Sequence, residues 1–199
     1  RLSEPPADSD VWTLTYLLQA RDDPSLIVPA ETVWTAKSNV VTYLEHRFEN
    51  VHDKLLAGLG FASRLFKPIE DSLRNSQASE ARINQEEAYQ FLVDVAPVLE
   101  QSDFAVLVPN WWGKRAKLRA KARVSETQES SGFLTKDSLL NYEWSMSLGN
   151  EVISKAEFEA LVALKQPLVR YKGEWVTLDV DQIEATLKFF EQDTKQQVS

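Results

Sequence analysis

The chain has 199 residues, 43% of them hydrophobic and 26% charged, with a formal net charge of -8 and no cysteine. That length and composition suit a folded chain with a real hydrophobic core, as one large domain or two small ones. The longest apolar run, Phe104 to Val108, falls far short of the roughly 20 residues of a membrane span or the roughly 7–15 of a signal-peptide core. Without cysteine there are no disulfides, thiolate metal sites or cysteine nucleophile, and a reducing cytoplasmic setting fits.

The chain begins RLSEPPADSD, a polar lead-in with no initiating methionine, and Met146 is its one methionine. It is therefore expected to be a piece of a longer polypeptide. VWTLTYLLQA sets Trp12, Leu14, Tyr16 and Leu18 against alternating partners, the period of a half-buried strand. Asp23-Pro24 marks a turn, and ETVW one helical turn. From Asn39 to Phe66 apolar residues recur at Val40, Leu44, Phe48, Val51, Leu55 and Leu59, steps of three and four that predict a long helix. Gly58 and Gly60 would kink or end it before a shorter helix near Phe61–Phe66.

Residues 74–84 read as a loop and as the boundary between an N-terminal part (1–80) and a C-terminal part (81–199). Asn84 caps a helix over 86–99 with acids in its first turn. Strands are expected at 104–108, 117–124, 140–148 and 168–178, the last a hairpin turning at Lys172-Gly173. Ser154 and Glu157 form a capping box for a helix over 155–165, and Asp179 caps a final helix over 180–190. Strands and helices alternate without a βαβ repeat. The expected class is therefore α+β, a mixed and mainly antiparallel sheet region covered by helices, with a long helix in the N-terminal half.

The positive charge is concentrated in NWWGKRAKLRAKARVSE. Lys114, Arg115, Lys117, Arg119, Lys121 and Arg123 contribute +6 with no acid among them, leaving -14 on the rest of the chain. As a strand, AKLRAKARV places Lys117, Arg119, Lys121 and Arg123 on one face, about 7 Å apart, and Ala116, Leu118, Ala120, Ala122 and Val124 on the other. As a helix the same charges would scatter. Two readings of the row stand side by side. Acids on a neighbouring strand, Glu143 foremost, neutralise it, or it meets the phosphates of a nucleic acid. Trp111 and Trp112 beside it suit base stacking or equally a plug in the core. A chain this acidic does not coat nucleic acid indiscriminately, but one local polyanion site is compatible with it.

Catalytic signatures are missing: no GxxxxGK[ST], GxGxxG or GxSxG occurs, and His46 and His52 have no evident third ligand. No catalytic residue, cofactor site or metal site is expected within the chain.

Three segments, Leu18–Trp34, Val106–Val124 and Leu139–Asp179, carry a family resemblance. In order they show Pro109-x-Trp111-Trp112 with basic residues after it, a strand bearing Trp144 and ending in Leu148-Gly149, Lys165-x-Pro167-Leu168-Val169, and Gly173-x-Trp175-Val176. This pattern resembles the accessory region that precedes the ATPase motor in bacterial Swi/Snf-type helicases. The resemblance implies that the parent polypeptide is an ATP-dependent DNA translocase with ATP and Mg²⁺ bound in a downstream motor. It implies that this piece is non-catalytic, docking on the motor, contacting DNA, or both. The alternative is a protein-interaction domain that packs on the motor without touching DNA. The candidate residues themselves come from charge and aromatic placement alone.

Overall fold

The computed structural model describes residues 1–112, 118–125, 141–148, 151–164 and 166–178. The chain divides into two compact units, Arg1–Trp112 and Gly113–Ser199. Helices alternate with small sheets, and every strand pairing among the described residues is antiparallel, which gives the α+β class expected.

The first unit opens with β1 (Leu2–Ser3) and β2 (Trp12–Thr15). The alternating pattern sends Trp12, Leu14 and Tyr16 inward. Beyond Thr15 the chain changes partner: β3 (Leu17–Gln19) pairs with β4 (Ile27–Pro29) around the Asp23-Pro24 turn. There the Asp23 carboxylate accepts from the Ser25 N–H at 3.0 Å and the Ser25 hydroxyl at 2.6 Å. The expected helical turn follows as α1 (Ala30–Thr35).

The long helix expected from residue 39 begins late. Residues 40–49 form a hairpin, β5 (Val40–Tyr43) against β6 (His46–Glu49), and α2 spans Val51–Leu65. Spacing of Val40, Leu44 and Phe48 imitates a helical face, yet Val41 and Phe48 are buried while Leu44 is 69% exposed. Val40, Val41 and Thr42 are β-branched and fit a pleated strand better than a helical turn. Leu44 and Glu45, at φ 49° and 66°, make the two-residue turn. Asn39 ties the hairpin base to α2: its Nδ2 donates to Asp53 Oδ2 at 2.6 Å and its Oδ1 accepts from the His52 N–H at 2.9 Å. Gly58 and Gly60 leave α2 unbroken, so the shorter helix expected near Phe61–Phe66 is its last turn. Phe66 is extended at φ -144°, and α3 (Lys67–Ser72) starts beyond it with Pro68 in the first turn, where a missing N–H is harmless.

The segment expected as a loop contains β7 (Glu80–Ile83), paired with β2 from Trp12↔Ile83 to Thr15↔Glu80. Only Ala81 and Ile83 are buried, too few apolar positions to stand out beside two charges. Because β7 completes the sheet β1-β2-β7, the expected boundary after residue 80 falls inside the first unit. The division lies after Trp112 instead.

The helix expected over 86–99 is present in three continuous pieces, α4 (Gln85–Gln90), a π-helical turn (Phe91–Val95) and α5 (Ala96–Gln101). Asn84 and Glu87 cap it reciprocally, at 2.9 Å and 2.8 Å. Pro97 has no N–H to bond back, and the wider turn just before it absorbs that loss. Residues 104–108 form no ladder, contrary to the strand expected there. They lie along the unit through Leu107, whose carbonyl accepts from the Leu2 N–H at 2.8 Å, and through Phe104, whose ring stacks on Phe61 at 5.4 Å.

In the second unit, β8 (Leu118–Ser125) pairs with β9 (Asn141–Leu148) over eight residues, and β9 pairs with β10 (Glu151–Ile153) in the order β10-β9-β8. The strands expected at 117–124 and 140–148 are therefore found within the described residues. The capping box predicted at Ser154 and Glu157 opens α6 (Lys155–Ala163). The predicted hairpin is β11 (Leu168–Tyr171) with β12 (Glu174–Thr177), turning through Lys172 and Gly173 at φ 47° and 89°. It forms a sheet of its own. Ile153, Phe158, Leu161, Val169, Val176 and Leu178 make one buried cluster that joins strand, helix and hairpin. Phe158 is 1% exposed there, a burial that contributes about 1.5–3 kcal/mol. The helix expected over 180–190 and its cap Asp179 lie outside the described residues.

Candidate nucleic-acid interface

The register of β8 on β9 fixes how the basic row is organised. Arg119, Lys121 and Arg123 stand opposite Ser147, Ser145 and Glu143, while Leu118, Ala120, Ala122 and Val124 stand opposite Leu148, Met146, Trp144 and Tyr142. Residues directly opposite in an antiparallel ladder share a face, so the ladder has one apolar face and one polar face carrying three cations and one acid. Ile153 identifies the inner side. It pairs with Met146, which pairs with Ala120, and Ile153 is 2% exposed within the core cluster. Positions 119, 121 and 123 fall on the other side of the ladder. Glu143, named from the sequence as the candidate neutralising acid, stands opposite Arg123 alone.

Lys114, Arg115 and Lys117 lie outside the described residues. Trp111 and Trp112 end the first unit, whereas Arg119, Lys121 and Arg123 belong to the second. The aromatic and basic halves of the expected site thus stand on different units.

The tryptophan pair is held within its own unit. Trp111 packs edge-on against Trp12 at 6.2 Å and against Trp112 at 6.0 Å, and Trp112 meets Tyr89 edge-on at 6.4 Å. The indole N–H of Trp111 donates to Glu4 Oε1 at 2.5 Å. Trp12 is fully buried, so the chain of rings runs from the core to the end of the unit. Both Trp111 and Trp112 are half-buried, whereas the sequence led us to expect one of them buried. Glu4, Trp12 and Tyr89 are the partners that sequence reasoning missed. Trp12 stood out only as an inward strand position, and nothing in the spacing of Glu4 or Tyr89 linked them to residue 111.

The units differ in charge. Residues 1–112 hold 9 basic and 17 acidic side chains, and residues 113–199 hold 13 of each. The excess of acid therefore belongs to the first unit, and the second is balanced overall with its cations bunched in 114–123.

Neither histidine nominates a metal centre. His52 Nε2 bonds the Val33 carbonyl oxygen at 2.8 Å and its ring stacks on Trp34 at 6.1 Å, while His46 lies exposed on β6. Among the described residues no group of three or more His, Cys, Asp or Glu could hold a metal ion, and no helix is long and apolar enough to cross a membrane.

A family described as "SNF2 Helicase protein" matches residues 76–199, from just before β7 to the end of the chain. The chain belongs to this family. A family member from Bacillus subtilis (strain 168), named "Putative ATP-dependent helicase/translocase YwqA", is 25% identical over 186 residues. That match takes in 90% of this chain and 18% of the relative, so the chain spans under a fifth of the relative's length. No solved structure matches the chain. The family match covers the whole second unit and begins inside the first, so the basic ladder lies wholly within it.

Proposed function

We propose that this chain is a non-catalytic accessory region of an ATP-dependent DNA translocase, and that it contacts the nucleic-acid backbone through the cations of β8 while docking on the motor of the same polypeptide. Membership of the helicase family and the small share of the relative that the chain spans support an accessory role. ATP and Mg²⁺ belong in this reading to the motor, since this sequence carries no phosphate-cradling loop. The setting is the cytoplasm.

One observation carries the nucleic-acid contact: the eight-residue ladder that lines Arg119, Lys121 and Arg123 along the side opposite Ile153. Phosphate contacts of this kind position the protein and carry no base information, so binding is blind to sequence. The test is a DNA titration of the 199-residue chain at several salt concentrations. Each phosphate contact adds about 0.9 to the salt slope on duplex and about 0.7 on single strands. Reversing Lys117 and Arg119 to Glu should weaken binding to all sequences alike and flatten the slope by roughly 1.5–2. A chain that binds no DNA, or folded double variants that bind like the parent, would establish the second reading.

That second reading is a docking surface for the motor that never touches DNA. It is favoured by the tryptophan pair, whose edge-on packing and bond to Glu4 already employ the groups a base-stacking platform would offer.

A further inference from the structure

The cations of β8 are not equivalent, and the ladder register ranks them. Arg123 has Glu143 opposite, whereas Lys121 and Arg119 have Ser145 and Ser147 opposite. A directly opposed acid and base form a cross-strand pair, which offsets the charge of Arg123 before any ligand arrives. A serine opposite a cation leaves its charge in place and adds a neutral hydroxyl, a group that regularly donates to phosphate oxygens. Successive same-face positions lie about 6.7 Å apart along the strand, so the two base–serine rows are separate and side by side.

Resting on the nucleic-acid reading of β8, we infer that Arg119 with Ser147 and Lys121 with Ser145 form two adjacent phosphate-binding rows, each joining one cation and one hydroxyl, and that Glu143 holds Arg123 out of the contact. The ligand is the backbone of one nucleic-acid strand. Ser145 and Ser147 donate neutral hydrogen bonds to two of its phosphates, and Glu143 limits the footprint.

The experiment compares the parent chain with S145A/S147A, E143Q, R123Q and R119Q/K121Q, using fluorescence anisotropy of a labelled short DNA duplex across a salt series. Far-UV circular dichroism confirms folding. The serine double variant should lose about fivefold in affinity, the loss of modest hydrogen bonds, with its salt slope unchanged because no charge is removed. E143Q should bind more tightly and steepen the slope by about 0.9, as Arg123 joins the contact. R123Q should leave the slope as in the parent, and R119Q/K121Q should flatten it by about 1.8.

If R119Q/K121Q flattens the slope but the serine variant and E143Q behave like the parent, the inference is overturned while the nucleic-acid reading stands. If the parent does not bind, or R119Q/K121Q changes nothing, both fall. Should S145A/S147A fail to fold, E143Q against R123Q still decides, because a slope that drops in R123Q contradicts the ranking directly.

Discussion

Replacing Trp111 with alanine tests whether the tryptophan pair is architecture or a ligand surface. The truncation removes two edge-to-face ring contacts, with Trp12 at 6.2 Å and Trp112 at 6.0 Å, each worth about 0.5–1.5 kcal/mol beyond area burial. It also removes the hydrogen bond to Glu4, worth about 0.5–1.5 kcal/mol net. Together these give a loss of about 2–4 kcal/mol in the stability of the first unit. Trp111→Phe keeps a ring but not the N–H, and should lose about 1–2 kcal/mol. Urea unfolding followed by far-UV circular dichroism and by tryptophan fluorescence gives both values. DNA affinity, measured where each variant is fully folded, should match the parent. A variant that keeps its stability to within about 0.5 kcal/mol yet loses DNA binding would refute the structural role and restore Trp111 as a stacking residue.

Leu44→Asn with Glu45→Gly should stabilise the chain by about 1 kcal/mol in the same urea assay, because both positions have positive φ and Asn-Gly suits that turn. Alanine at Asn84 or at Ser154 should each cost about 1 kcal/mol. The first should act on the unit that ends at Trp112 and the second on the unit that follows, separable by hydrogen exchange. The Glu157 carboxyl is held below its ordinary range by the Ser154 N–H and then the Ser154 hydroxyl, and that of Asp23 by the Ser25 hydroxyl and then its N–H. A lowered folded-state pKa gives stability that is present above the ordinary carboxylate value and lost as pH falls through the folded one. Glu157→Gln, which keeps an acceptor but does not titrate, should therefore flatten the fall in stability on acidification.

Legibility followed the strength of local chemistry. The strand over 141–148 alternates without a break, and each capping box pairs a side chain with a backbone group three residues away, so these elements are specified within a few residues. The β5–β6 hairpin is hidden because Leu44 and Glu45 occupy left-handed backbone that their side chains do not advertise, and because Val40, Leu44 and Phe48 also fit a helical face. β7 depends on β2, a partner some seventy residues earlier, and its two buried residues cannot signal that pairing locally. At the candidate site, the parity of the basic row was readable in AKLRAKARV, and Glu143 could be named as its opposing acid. Which cation Glu143 faces is a matter of register, set by the pairing of two strands and by no residue alone. The bond between Glu4 and Trp111 is of the same kind, a contact across 107 positions of sequence.

The π-helical turn at Phe91–Val95 has a mutational meaning as well as a geometric one. A wide turn holds one residue more than an α-helical path of the same course requires. Deleting a single residue there would return the segment to regular winding and rotate everything beyond it by about 100° about the helix axis. Ala96 and Leu99, now buried, would swing away from the core and exposed Val98 would move toward a different neighbour. The residues from Ser102 to Trp112, which follow this helix to the end of the unit, would start from a turned base. The extra residue therefore acts as a phase setting for the path that leads to the basic segment, and a one-residue deletion at this place would do more harm than many substitutions around it.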